Sequence, residues 1–161
     1  MQTKSLLLSP LTRDDYPFLC GLYADAEIMR YIGTGVRTAA VASTALDKML
    51  APPKPTGYWT LRDRATLEPL GGIMLMYRRE GGPLEIGFLF AKEAWGRGLA
   101  TEAVQVVSAH AFEQGVSHLE AFTDARNDAS ARVLLKCGFR DRGIFTGPYG
   151  TPDRKFELTR E

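Results

Sequence analysis

Apolar and polar positions alternate along this chain in three successive rhythms. Near the start, Ser5–Leu8 is short and apolar, and it reads as a strand stopped by Pro10. Thr12 with Asp15 three residues on predicts a helix start, and Tyr16, Leu19, Cys20 and Tyr23 follow at helical spacing, so a helix is expected over 13–24. A short second helix contains Glu27–Tyr31, Gly33 and Gly35 break the chain, and another helix runs from Thr38 to Leu50. The cluster Pro52-Pro53-Lys54-Pro55 forbids its continuation.

The middle changes to period two. Tyr58–Arg62, Leu70–Tyr77 and Leu84–Phe90 are β-rich runs joined by spacers of hairpin length, which predicts an antiparallel meander. Within the last run, Ile86, Phe88 and Phe90 share one face, with Glu85, Gly87 and Leu89 on the other. Helical rhythm then returns with Ala100, Ala103, Val104, Val107 and Ala111, closed by Gly115. His118–Thr123 is a strand, Ser130–Cys137 a helix closed by Gly138, Phe139–Ile144 a strand and Arg154–Thr159 a last strand. Strand, helix and strand in succession require at least one parallel crossover beside an antiparallel first half. One mixed α/β domain over residues 1–161 is expected, mostly antiparallel, with helices flanking the sheet.

Composition narrows the function classes. The 161 residues carry 20 Lys plus Arg against 19 Asp plus Glu, a net charge of +1 that provides no basic footprint for nucleic acid or an anionic membrane. No apolar run approaches a membrane span, and the three leucines before Ser9 are too few for a secretory signal, so a cytoplasmic location is expected. Cys20 and Cys137 lie far apart in apolar surroundings and read as reduced, buried thiols rather than a disulfide. His110 and His118 have no Cys or Asp at ligand spacing, so no metal site is expected. Asp124 and Glu120 read as surface groups or as supports for site residues.

The chemistry concentrates in "EAWGRGLATEA", residues 93–103. Two glycines, each costing roughly 1 kcal/mol inside a helix, stand where a strand gives way to a helix start. Unpaired N–H groups and a partial positive charge make that point an anion site. Bare backbone at Gly96 and Gly98 lets phosphate oxygens approach, Thr101 adds a hydroxyl and Arg97 a charge; a plain tight turn is the competing reading. The dinucleotide fingerprint fails because its third position is Thr101, and the triphosphate loop lacks its Gly-Lys-Ser/Thr ending.

Residues 95–100, Trp-Gly-Arg-Gly-Leu-Ala, instead resemble the acetyl-CoA motif Q/R-x-x-G-x-G/A of the GNAT family of N-acetyltransferases, with Trp95 departing at the first position. A second motif of that family matches Asn127, Ser130, Val133, Leu134, Lys136, Gly138 and Phe139 in register, and both chain ends follow its ribosomal-protein-alanine and spermidine N-acetyltransferase branch. The resemblance implies a splayed parallel strand pair, with the pantetheine arm of acetyl-CoA paired to Phe88, Leu89 and Phe90 beside a bulge. The pyrophosphate then lies on the amides of Arg97, Gly98, Leu99, Ala100 and Thr101, above Gly96. A backbone N–H near Leu89 polarises the thioester.

It also implies an amine acceptor, either a protein N-terminus or a small amine, and by analogy a homodimer. Glu85 is the expected general base, or else a solvated strand-edge carboxylate. The tyrosine that serves many relatives as acid falls at Leu134, leaving Ser130 as acid or as helix cap. Asn127 binds the arm or a water, or is a plain turn residue. Arg132 and Lys136 either reach the nucleotide 3′-phosphate or are solvated. Tyr31, Phe145 and Tyr149 are expected on the acceptor walls, between segments 25–37 and 145–153. A domain of this fold that holds acyl-CoA without turnover is the alternative.

Overall fold

The computed structural model describes residues 1–53 and 55–160. Lys54 of the proline cluster and the closing Glu161 lie outside them. The strands are β1 (Leu6–Pro10), β2 (Gly57–Asp63), β3 (Pro69–Tyr77), β4 (Leu84–Phe90), β5 (His118–Asp124), β6 (Arg140–Thr146) and β7 (Pro152–Thr159). The helices are α1 (Tyr16–Ala24), α2 (Ala39–Asp47), α3 (Leu99–Glu113) and α4 (Asp128–Lys136). One sheet holds all seven strands in the order β1-β2-β3-β4-β5-β7-β6. Every neighbouring pair is antiparallel except β4 with β5. This is the mixed domain that the successive rhythms predicted.

Each face of the sheet carries its own core. Leu6, Leu8, Leu61, Ile73, Leu75 and Ile86 pack on one face against the stripe Ala103, Val104, Val107 and Ala111 of α3. On the other, Leu19, Leu22 and Leu46 from α1 and α2 close over Tyr58, with Met74 and Leu89 at the margin. Burying each large aliphatic side chain contributes about 1.5–3 kcal/mol, so the two faces share the stabilisation. Gly72 shows how closely the second face is fitted, because a Cβ there would collide with the Tyr58 hydroxyl.

Several boundaries moved for local reasons. Pro10 belongs to β1 instead of stopping it, because an edge strand tolerates a residue without an N–H. The first helical stretch opens with a 3₁₀ turn at Arg13–Asp15 before α1 begins. Thr12 and Asp15 form the capping box there, and Asp15, 3% exposed, also pairs with Arg62 of β2. Thr38 is the N-cap of α2, accepting from the Val41 amide at 3.3 Å, so the helix proper spans Ala39–Asp47 rather than reaching Leu50. Helix α4 starts two residues earlier than expected, because Asn127 caps it. No helix among the described residues is long and apolar enough to cross a membrane.

The decisive feature is where pairing stops. β4 and β5 are paired only at Leu84–Leu119 and Glu85–Glu120, then diverge. β5 pairs with β7 throughout, from His118–Thr159 to Asp124–Asp153, and β4 pairs with β3 from Tyr77–Leu84 to Gly71–Phe90. The bulge expected in β4 is absent: its register with β3 runs without a shift, and the splay arises because the two halves of the sheet follow different partners.

Glu102 of α3 ties the chain start to this framework. It accepts from the Thr3 hydroxyl, the Ser5 hydroxyl at 2.9 Å and the Ser5 amide at 3.1 Å. Burial alone would raise its carboxyl, but these donors hold it below the usual glutamate range. A depressed folded-state pKa contributes stability that is present above the unfolded value and is lost as pH falls through the folded one. Glu102→Ala is expected to lose about 1–3 kcal/mol at neutral pH in urea titrations. The deficit should close on acidification below the ordinary glutamate range.

Candidate active site

The gap between β4 and β5 opens into a cleft of about 440 Å³, walled by Phe88, Leu89 and Phe90 on one side and by Asn127 and Ser130 on the other. Its floor is the start of α3. Gly96 and Gly98 both adopt left-handed backbone, with φ of 72° and 77°, and a Cβ on either would meet nothing within 4 Å. The glycines are therefore required by conformation, and open space lies before them. The first helical bond of α3 runs from the Glu102 amide to the Gly98 carbonyl, and no side chain caps the helix. The amides of Arg97, Gly98, Leu99, Ala100 and Thr101 therefore have no partner among the described residues. Such an open helix start suits a phosphate.

Strand direction decides which β4 amides are free. The Ala91 amide donates across to the Leu70 carbonyl of β3 at 2.8 Å. Backbone groups alternate along a strand, so Leu89 also faces β3, while Phe88 and Phe90 face the gap. The amides near Leu89 that open toward the gap are thus those of Phe88 and Phe90, and Leu89 lines the cleft. Phe88 and Phe90 meanwhile keep their side chains on the α3 core.

Trp95, the departure from the family motif, has a defined task. Its indole N–H donates to the Phe90 carbonyl at 3.0 Å, closing the turn between β4 and the glycines. That contact, across five residues of the turn, had no signal in the sequence beyond the unusual residue itself. The Arg97 side chain points away from the cleft to Asp63, at 3.5 Å. Arg132 and Lys136 line the cleft from α4, joined by Arg30, a cation that the sequence pattern did not single out.

At the far wall, the Asn127 side chain accepts from the Ser130 amide at 3.1 Å. Asn127 is therefore the cap, and the Ser130 hydroxyl, which makes no hydrogen bond among the described residues, faces the cleft. Leu134 is 1% exposed and belongs to the core. Cys137 is half-buried with its thiol near the Thr101 carbonyl at 3.6 Å, and burial pushes that thiol up to about 11, so it packs rather than reacts.

On the opposite face, at the point where the strands part, stands Glu85. Burial pushes its carboxyl above the ordinary range, Arg78 at 3.8 Å pulls it down, and Glu120 and Asp153 push it further up. Register brings Glu120 directly beside it. Glu120 and Asp124, expected as surface groups or as supports for site residues, are 9% and 8% exposed, so they are not surface groups. Asp124 holds Arg126, whose guanidinium lies 5.9 Å from the Tyr31 ring centre, and Arg126 pulls the Asp124 carboxyl below its usual range. The β5–β7 register also gathers His118, Glu120 and Glu157 within 4.8 Å, although their sequence spacing hides it. Lys155 sits among them, 2.6 Å from Glu120 and 2.8 Å from Glu157.

The expected acceptor walls meet in part. Tyr31 lines the cleft, and Phe145 packs edge-on to Phe122 at 5.7 Å. Tyr149 lies so close over Gly33 that a Cβ there has no room, which joins segments 25–37 and 145–153.

Residues 5–140 match the Acetyltransferase (GNAT) domain family. The chain is 28% identical over 149 residues to the uncharacterized N-acetyltransferase YoaA of Bacillus subtilis (strain 168), covering 89% of this chain and 84% of that protein. Its fold is similar to that of a GNAT-family acetyltransferase from Bacillus anthracis (TM-score 0.88, 22% identity, 99% and 97% of the chains). It is also similar to that of the spermidine N-acetyltransferase from Vibrio cholerae in complex with CoA and spermine (TM-score 0.83, 17% identity, 98% and 96%). The open helix start, the parted strands and a family match over most of the chain converge: this chain belongs to the GNAT family and is an acetyl-CoA-dependent acyltransferase.

Proposed function

We propose that the chain transfers an acetyl group from acetyl-CoA directly to a primary amine, of a protein N-terminus or a small molecule, within a ternary complex. The observation that carries this reading is the end of β4–β5 pairing at Glu85–Glu120, beside a helix start with free amides. Acetyl-CoA supplies an activated thioester. The Phe88 and Phe90 amides offer an added-strand partner to its peptide-like arm, and one of them is placed to stabilise oxyanion charge. The amides of residues 97–101 take the pyrophosphate, and Arg132 and Lys136 add positive charge at the cleft rim.

An amine attacks only when neutral, so a base is required. Glu85 fits because burial raises its proton affinity toward the working pH. The Ser130 hydroxyl, freed from capping by Asn127, donates toward the departing sulfur. A domain that holds acyl-CoA without turnover is the second reading, favoured by Leu134 where relatives carry a tyrosine; release of coenzyme A thiol with any amine excludes it.

Four measurements test the reading. Acetyl-CoA at 100 times its Kd is expected to stabilise the chain by about 2.7 kcal/mol in thermal unfolding, with no shift from NAD or ATP. Gly98→Ala, which forces a left-handed non-glycine at a cost of about 1–2 kcal/mol, should shrink that shift at fixed ligand. Glu85→Gln should cut turnover more at pH 7 than at pH 9, where the amine loses its own proton; equal loss at both assigns the base elsewhere. Ser130→Ala is expected to lower kcat about 10- to 100-fold with the Kd for acetyl-CoA unchanged, in line with general-acid contributions. An unaltered kcat removes Ser130 from proton transfer.

A further inference from the structure

The face of the sheet opposite the α3 core holds a second depression of about 410 Å³, lined by Arg78, Arg79, Pro83, Glu120, Phe122 and Phe145 together with Lys155. It adjoins Glu85, where the strands part. Its charges are not evenly matched. The Lys155 ammonium is committed to Glu120 and Glu157, and Glu157 also takes Arg142 at 2.7 Å. Glu120 and Glu157 are therefore already paired within the protein. The two arginines are held more loosely. Arg78 stacks over the Phe122 ring, its guanidinium carbon 3.9 Å from the ring centre. It forms a long ion pair with Glu85 at 3.8 Å, beyond hydrogen-bond range, and none of its N–H groups donates among the described residues. Arg79 makes no ion pair among the described residues.

A stacked guanidinium is held flat with its N–H edge unspent, which is the geometry that binds a carboxylate through two parallel hydrogen bonds. Phe122 and Phe145 add an apolar wall beside it. A polyamine would meet the two guanidinium groups instead.

We infer that this depression binds a carboxylate of the acceptor, held by Arg78 and Arg79, so that the preferred amine is one bearing a carboxylate a few bonds away, a free amino acid or an acidic peptide N-terminus. The inference rests on the acetyl-transfer reading above and names the acceptor class for it.

The test is coenzyme A release with the twenty amino acids offered as free acids and as their amides. A second arm uses dipeptide amides carrying Asp or Asn at the second position, and spermidine serves as the cationic control. At least one acid is expected to exceed its amide at least tenfold in kcat/KM, mostly through KM. Preference confined to the Asp dipeptides assigns the carboxylate to a peptide side chain, and preference among free acids assigns it to an amino acid. Arg78→Gln with Arg79→Gln should reduce the preference below threefold while the stabilisation by acetyl-CoA is unchanged, and Arg78→Lys should restore only part of it. Amides or spermidine used as well as acids overturn the inference, as does acetyl-CoA binding with no acid turned over. Absence of acetyl-CoA binding overturns the acetyl-transfer reading itself.

Discussion

The candidate site of this molecule depends on a failure of backbone pairing. A buried sheet normally satisfies every N–H and C=O with a neighbouring strand, because an unpaired buried group costs about 1–3 kcal/mol. Here β4 keeps β3 along its whole length while β5 keeps β7, and the two meet at only two residue pairs. The alternate amides of β4 beyond Glu85 are left facing a cleft. The fold thus lines a cleft with backbone groups that every sequence possesses, and the side chains of Phe88 and Phe90 remain available for the core.

The same economy holds at the cleft floor. An uncapped helix start and two left-handed glycines supply donors and a partial positive charge. Trp95 ties the end of β4 to that turn, so strand donors and helix donors are held by one connected piece of backbone. Formal charge enters afterwards, from Arg30, Arg132 and Lys136 around the rim. Across the sheet the arrangement is reversed: Glu120 and Glu157 are drawn together by strand register and paired with Lys155 and Arg142, while Glu85 has only a long ion pair with Arg78 and Arg79 has none among the described residues.

Much of this was legible in the chain. Helical spacing from Ala100 to Ala111, alternation from Leu84 to Phe90 and the glycines at 96 and 98 each follow from local rules, and each element stands where its pattern placed it within a few residues. The ends were less legible because they answer to tertiary partners. Pro10 stays in β1 only because that strand is an edge, and α4 begins early because Asn127 rather than Ser130 is the cap.

By itself the sequence determined the periodicities, the bare backbone at the helix start, and the family motifs around Gly98 and Asn127, since these depend on neighbours within a turn or two. Only the tertiary structure decided that the Leu89 amide turns toward β3 while those of Phe88 and Phe90 face the gap. It alone brought Glu120 against Glu157 and Lys155, and planted Arg78 on Phe122. Those relations are set by strand register between segments tens of residues apart, and register is a property of the assembled sheet that no local pattern encodes.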